Sequence, residues 1–272
     1  MKLNETLLNI QQIDGASILN GSDIAIEEIG DQHIGTSSET PLRDDAFLLT
    51  NEEKKKIIAQ KFREIMETLG LDLTDDSLCG TPDRVAKMYV EEIFSGLDDK
   101  NKPKVALFDN KYQYNEMLVE KDITLYSNCE HHFVPIIGRA HVAYISNGKV
   151  IGLSKLNRIV RHFAKRPQVQ ERLTNQIANE LKDVLGTEDV AVVINAEHLC
   201  VASRGIEDTN STTISAFYGG KFKEKETKRE FLEYIRMGSQ KGIPVNMFVL
   251  VVQLKAAVIS GFFMVSYFSH QT

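Results

Sequence analysis

The chain has 272 residues, 42% of them hydrophobic and 26% charged, with a net charge of -6. That is enough length for one large domain or two small ones, and an ordinary balance for a buried core. Residues 1–46 hold nine acids against Lys2 and Arg43, so the remainder is close to neutral; this excludes a broad nucleic-acid surface while allowing a local basic pocket for a phosphorylated small molecule.

The acidic first 46 residues lack sustained periodicity and carry Gly15, Gly21, Gly30, Gly35 and "TSSETP", so a disordered arm is expected there. Order begins near Thr50. "TNEE" has the form of a capping box, Thr50 with Glu53, and Ile58, Phe62, Ile65 and Leu69 recur at helical spacing before Gly70. A second helix is predicted over "TPDRVAKMYVEEIFSG", with Thr81 as N-cap, Pro82 in the first turn and Gly96 at its end. The two form an antiparallel pair.

Strands follow. "ITLYSNC" and "IGRAHVAYI" read as strands, and "SNGK" supplies an Asn147-Gly148 hairpin turn from which "VIGLS" returns. Ser154 caps "KLNRIVRHFAK", with Leu156, Ile159, Val160 and Phe163 on one face, and Pro167 interrupts before a helix carrying Leu173, Ile177, Leu181 and Leu185 to Gly186. In "VAVVINAEHLCVASR", Val190, Val192, Ile194 and Ala196 form an apolar strand face that the same alternation extends to His198, Cys200 and Arg204. The order of elements fits an α+β domain with helices packed on one side of an antiparallel sheet.

Cys129 and His132, in "CEHHF", have a Cys-x-x-His spacing that a tight turn can fold round one ion. The pair alone equally suits a buried cysteine beside a hydrogen-bonded histidine. Cys200 from a distant strand makes three ligands, the number that leaves a position for water in a catalytic zinc site. In a regular strand His132 would point away from Cys129, so chelation requires a bend that leaves His131 projecting elsewhere. His198 is a second such imidazole near the proposed ion, and histidine is suited to proton exchange near neutral pH. Cys79 is assigned to packing.

The segments "TPDRVAKMYVEEIFSG", "NCEHHFVPIIG", "VIGLSKLNRIV", "RPQVQERLTNQI" and "EHLCVASRG" resemble, in order, the signature segments of type I GTP cyclohydrolase, over roughly residues 48–236. The resemblance implies the tunnelling fold after an N-terminal helix pair, zinc held by Cys129, His132 and Cys200, and catalytic histidines at His131 and His198. It implies conversion of GTP to formate and 7,8-dihydroneopterin triphosphate, the entry to tetrahydrofolate or tetrahydrobiopterin. Glu171 then recognises guanine, with Gln170 beside it in the substrate site. Ser154, Lys155, Arg158 and Arg204 bind the triphosphate; Arg84 and Lys87, three apart on one helix, suit either a neighbouring subunit's phosphates or a solvated helix face. The family's assembly is a homodecamer of two face-to-face pentamers. A binding-only relative, or another tunnelling-fold enzyme acting on a related purine or pterin, is the alternative.

The expected divisions are thus an arm at 1–46, a helical region at 47–108, a catalytic domain at 109–237 and a C-terminal extension at 238–272. Widely spaced cysteines and no apolar signal region at the N-terminus point to the cytoplasm, without disulfides. Residues 245–268 are almost wholly apolar, near the length of a membrane helix. Lys255 near the middle opposes insertion by roughly 2.5–3.5 kcal/mol, so a packed, oligomer-covering or poorly ordered extension is expected and membrane contact is the lesser reading.

Overall fold

The structure, a computed structural model, describes residues 37–237. The apolar 245–268 stretch and most of the acidic arm lie outside the described residues. Near the arm's end, Glu39 accepts a hydrogen bond from Gln176 Nε2 at 3.0 Å.

The capping box forms as the sequence predicts: Thr50 Oγ1 accepts from the Glu53 amide, and Glu53 returns the bond to the Thr50 amide at 2.8 Å. Helix α1 runs Asn51–Thr68 and stops where Gly70 takes φ +82°. Helix α2, Thr81–Lys87, packs against it but starts one residue earlier than expected, with Gly80 rather than Thr81 at the N-cap. It does not continue to Gly96. The backbone widens into a π-helical turn over Met88–Ile93, closed by the Phe94 amide on the Tyr89 carbonyl, and tightens into a 3-10 turn over Ser95–Leu97. Gly96 meets the end of a later helix so closely that a Cβ would lie 2.1 Å from the His162 carbonyl oxygen.

The sheet comprises β2 (Met117–Cys129), β3 (Pro135–Ile145), β5 (Pro167–Gln168), β6 (Val190–His198) and β7 (Thr213–Tyr218), in the order β5-β2-β3-β6-β7. All neighbours are antiparallel except the short β5, which runs parallel to β2. The hairpin expected at Asn147-Gly148 does not form with β3. Both edges of β3 are already taken by β2 and β6, so β4 (Lys149–Ile151) pairs instead with β1 (Leu107–Asp109).

Helices α3 (Leu153–Ala164) and α4 (Gln170–Leu185) cover one face of the sheet. The predicted apolar rows of both helices, and the even-numbered row Val190 to Ala196 of β6, are all buried in that core. Each such aliphatic side chain contributes about 1.5–3 kcal/mol. Helix α3 is capped by Gly152, not Ser154, because the Lys155 amide already bonds the Gly152 carbonyl; Ser154 lies in the first turn. A smaller core on the opposite face joins Met117, Ala143, Ile145, Ala191 and Val193 to Phe222 and to Phe231 of helix α6 (Lys225–Arg236). The architecture is the α+β tunnelling fold, an antiparallel sheet backed by helices and preceded by a helix pair.

Strand β6 ends at His198, and residues Leu199–Ala202 form a short helix, α5. Cys200 and Arg204 therefore do not extend the strand face as the alternation suggested; the chain turns at the sheet edge. His198 pairs in register with Ile136 at the start of β3, and β2 ends at Cys129. The β2–β3 loop and the end of β6 thus share one end of the sheet.

Candidate metal centre

The loop 129–134 is tight. The Cys129 amide donates to the Val134 carbonyl and the Phe133 amide to the Cys129 carbonyl, and Phe133 is held at φ +57°, a left-handed conformation unusual for a bulky residue. This is the bend that chelation by Cys129 and His132 requires. Donor atoms of Cys129, His132 and Cys200 lie within 4.8 Å of one another, with Cys129 buried, Cys200 half-buried and His132 exposed. Two sulfurs and an imidazole nitrogen are a soft donor set that could hold a transition metal or zinc. Burial and the adjoining Cys129 thiol push the Cys200 thiol up to about 11.

The two imidazoles of the loop are set apart, 6.4 Å between ring centroids and 76° between planes. Cys129 Sγ is 3.7 Å from His131 Nδ1 and 4.0 Å from His132 Nδ1. His132 Nε2 accepts from Arg204 Nη1 at 3.0 Å, while His131 Nε2 stands 3.9 Å from Glu130 Oε1.

His198 is fixed by Gln170. The buried amide of Gln170 donates through Nε2 to the carbonyls of Ile194 and Thr213 and to Ser215 Oγ, so Oε1 must accept from His198 Nε2–H at 2.7 Å. That sets the tautomer and leaves Nδ1 as the nitrogen available to exchange a proton. Burial lowers the pKa of His198, partly offset by the charge of Glu171, which is exposed in the first turn of α4. The Gln170 side chain is thus turned inward, 1% exposed.

The other residues singled out by sequence sit on helices α2 and α3. Ser154, Lys155 and Arg158 are on α3, and Arg84 donates through Nη2 to the Ser77 carbonyl and Thr81 Oγ1. Lys87 ends α2. Among the described residues no hydrogen bond or ion pair joins these five to Cys129, His132 or Cys200. Cys79 is exposed rather than packed, its thiol on the Asp76 carbonyl, because the loop before α2 lies at the surface.

Two features were not legible from local sequence. Arg172 in α4, whose side chain is 2% exposed, forks onto Glu130 at 2.5 and 3.2 Å, and the Glu130 amide bonds the Gln168 carbonyl. The residue between Cys129 and His131 is thus tied to the helix that carries Glu171. Phe133 in turn packs edge-on against Phe94 (5.0 Å) and Tyr89 (6.4 Å), the two aromatics at either end of the π turn. An arginine beside the apolar row of α4 was a signal for the first; the second had none.

A tunnelling-fold sheet thus delivers two thiols and an imidazole that could hold a metal ion at one end, with two further imidazoles at the same end, the donor set and acid-base groups that a metal-assisted hydrolase would need. The family model for GTP cyclohydrolase I matches residues 58–236. The chain is 61% identical over 223 residues to a GTP cyclohydrolase 1 of Flavobacterium johnsoniae, covering 82% of this chain and 100% of that protein. It is 58% identical over 195 residues to one from Aeromonas salmonicida (71% and 88% covered) and 54% over 209 residues to one from Salmonella arizonae (76% and 94%). The chain belongs to the GTP cyclohydrolase I family.

Proposed function

We propose that this protein hydrolyses GTP, with zinc, to formate and 7,8-dihydroneopterin 3'-triphosphate, the first step of tetrahydrofolate or tetrahydrobiopterin synthesis. The observation that carries the reading is the group Cys129, His132 and Cys200 with His131 and His198 at the same sheet end. Zinc held by those three residues supplies a Lewis acid that brings the ionisation of a water towards neutral pH.

The chain's own groups supply the rest. His198, oriented by Gln170, gives a proton to guanine N7 through Nδ1 as C8 is attacked. His131 serves the proton transfers of ribose opening and rearrangement. Glu171 accepts from guanine N1–H and the 2-amino group, a pair of donors that adenine lacks. Were His132 to hold the ion through the lone pair of a neutral ring, its other nitrogen would carry a hydrogen and could not accept from Arg204, whose guanidinium would then be available to the triphosphate.

Among the described residues no hydrogen bond or ion pair joins Ser154, Lys155, Arg158, Arg84 or Lys87 to the metal group within one chain, which supports sites shared between subunits of a cytoplasmic homodecamer. So does the apolar row of α1: Ile57, Ile58, Phe62 and Ile65 line an open groove of 390 Å³ with Tyr89 and Phe133. Incubation with GTP tests the reading. Formate and an oxidisable pterin are expected, abolished by a chelator and restored by zinc; formate insensitive to metal removal, or none after zinc is restored, would overturn it.

A further inference from the structure

A cavity of 240 Å³ lies between α3 and the turns over residues 95–101. Arg158, Arg161 and Lys165, at i, i+3 and i+7 along α3 and its C-cap, line it with His162, Ser95 and Asn101, and no acidic side chain does. Among the described residues no carboxylate forms an ion pair with any of the three cations; the charge of exposed Glu92 reaches Lys165 without pairing with it. Burial and the neighbouring Arg161 charge lower the pKa of Lys165.

His162 adds a donor and no charge. Arg166 Nη2 donates to its Nε2 at 2.9 Å, so the neutral ring carries its proton on Nδ1, and burial with the Arg166 charge pushes its pKa down to about 4. Ser95 and Asn101 side chains donate to backbone carbonyls, of Glu92 and Ser95 respectively. The cavity therefore gathers three positive charges with no counter-charge on its wall. From Arg158 to Lys165 the helix rises about 10 Å, longer than one phosphate group and suited to a chain of two or three.

We propose that this cavity binds the di- or triphosphate group of a phosphorylated small molecule, with Arg161 and Lys165 as ligands beside Arg158. Arginine's planar fork and the lysine point charge make charge-assisted bonds to phosphate oxygens. The proposal rests on the reading above only in the triphosphate role given to Arg158. The phosphates could belong to GTP in a neighbouring subunit's site or to a separate phosphorylated effector.

Acetylation of Lys165 in the full-length, zinc-loaded protein, followed by peptide mass spectrometry, reads the site without using turnover. Inorganic tripolyphosphate at ten times its dissociation constant is expected to slow the reaction about tenfold, leaving exposed Lys111 unaffected. Arg161→Gln is expected to raise the protecting concentration about tenfold. Protection by GTP as well identifies the substrate's own tail; protection by tripolyphosphate alone identifies an effector. Equal rates with and without either anion mean that the charges only complement the end of α3, and overturn the proposal. Calorimetric titration of Arg161→Gln/Lys165→Gln with tripolyphosphate gives a second reading, and an affinity equal to the wild type also overturns it. A protein that releases no formate from GTP yet shows this protection would refute the proposed function and keep the anion site.

Discussion

Replacing Arg172 by methionine tests how the metal loop is held. The arginine side chain is 2% exposed and Glu130 19%, with both oxygens of Glu130 engaged by the guanidinium. Removing one partner leaves the other charge in a poorly solvated place, for which about 3–5 kcal/mol is the expected loss. Glu130→Gln keeps one acceptor for the guanidinium but strands the more deeply buried charge, so a comparable loss of about 3–5 kcal/mol is expected. With both residues replaced the stranded charge is gone, so the double variant should be more stable than the sum of the single losses implies, by about 1–3 kcal/mol. Urea denaturation at one fixed protein concentration measures all three. Additive losses, or Arg172→Met within about 0.5 kcal/mol of wild type, would refute the claim that this pair anchors the loop to α4.

Phe133 at φ +57° makes a second test: Phe133→Gly should be about 1 kcal/mol more stable than Phe133→Ala in denaturant, because only glycine relieves the left-handed backbone. Gly96→Ala should lose about 3 kcal/mol or more, since a Cβ there would lie 2.1 Å from the His162 carbonyl oxygen and 2.8 Å from that of Lys165; a melting temperature equal to wild type would contradict the close approach. His162, 6% exposed, binds a proton only near pH 4 when folded but near its ordinary 6.5 when unfolded. The unfolded chain therefore holds more protons in between, and stability falls as pH is lowered from about 6.5 to about 4, by up to about 3 kcal/mol. His162→Gln should flatten that slope, and an unchanged slope would place the titration elsewhere.

The sequence was most legible where function or packing is written in local spacing. Leu156, Ile159, Val160 and Phe163 repeat every helical turn, and the row Val190 to Ala196 alternates as a buried strand must; all are in the core. Cys129 and His132 are three apart on a bend, and they meet Cys200 as expected. What escaped was nonlocal. Asn147-Gly148 makes a good turn, but whether the returning strand pairs with β3 depends on which edges β2 and β6 have taken, and local pattern holds no record of that. The alternation of β6 runs on past His198 although the chain turns into α5, because a one-turn helix disturbs the period too little to notice. Arg172 and Glu130 are 42 positions apart and carry no joint signature. The apolar row of α1 promised a buried face, yet Ile65 and Leu69 are exposed; periodicity identifies an apolar face without saying what covers it.

The sharpest question remains the division of labour between the adjacent imidazoles of "CEHHF", since Cys129 Sγ lies within 4.0 Å of a nitrogen on each. Zinc content and formate release measured on the same sample of His131→Ala decide it. One zinc per chain retained with formate release from GTP lost is the expected result, with His132→Ala losing both. A His131→Ala protein that has lost its zinc while His132→Ala keeps it would contradict the assignment of ligand and proton carrier.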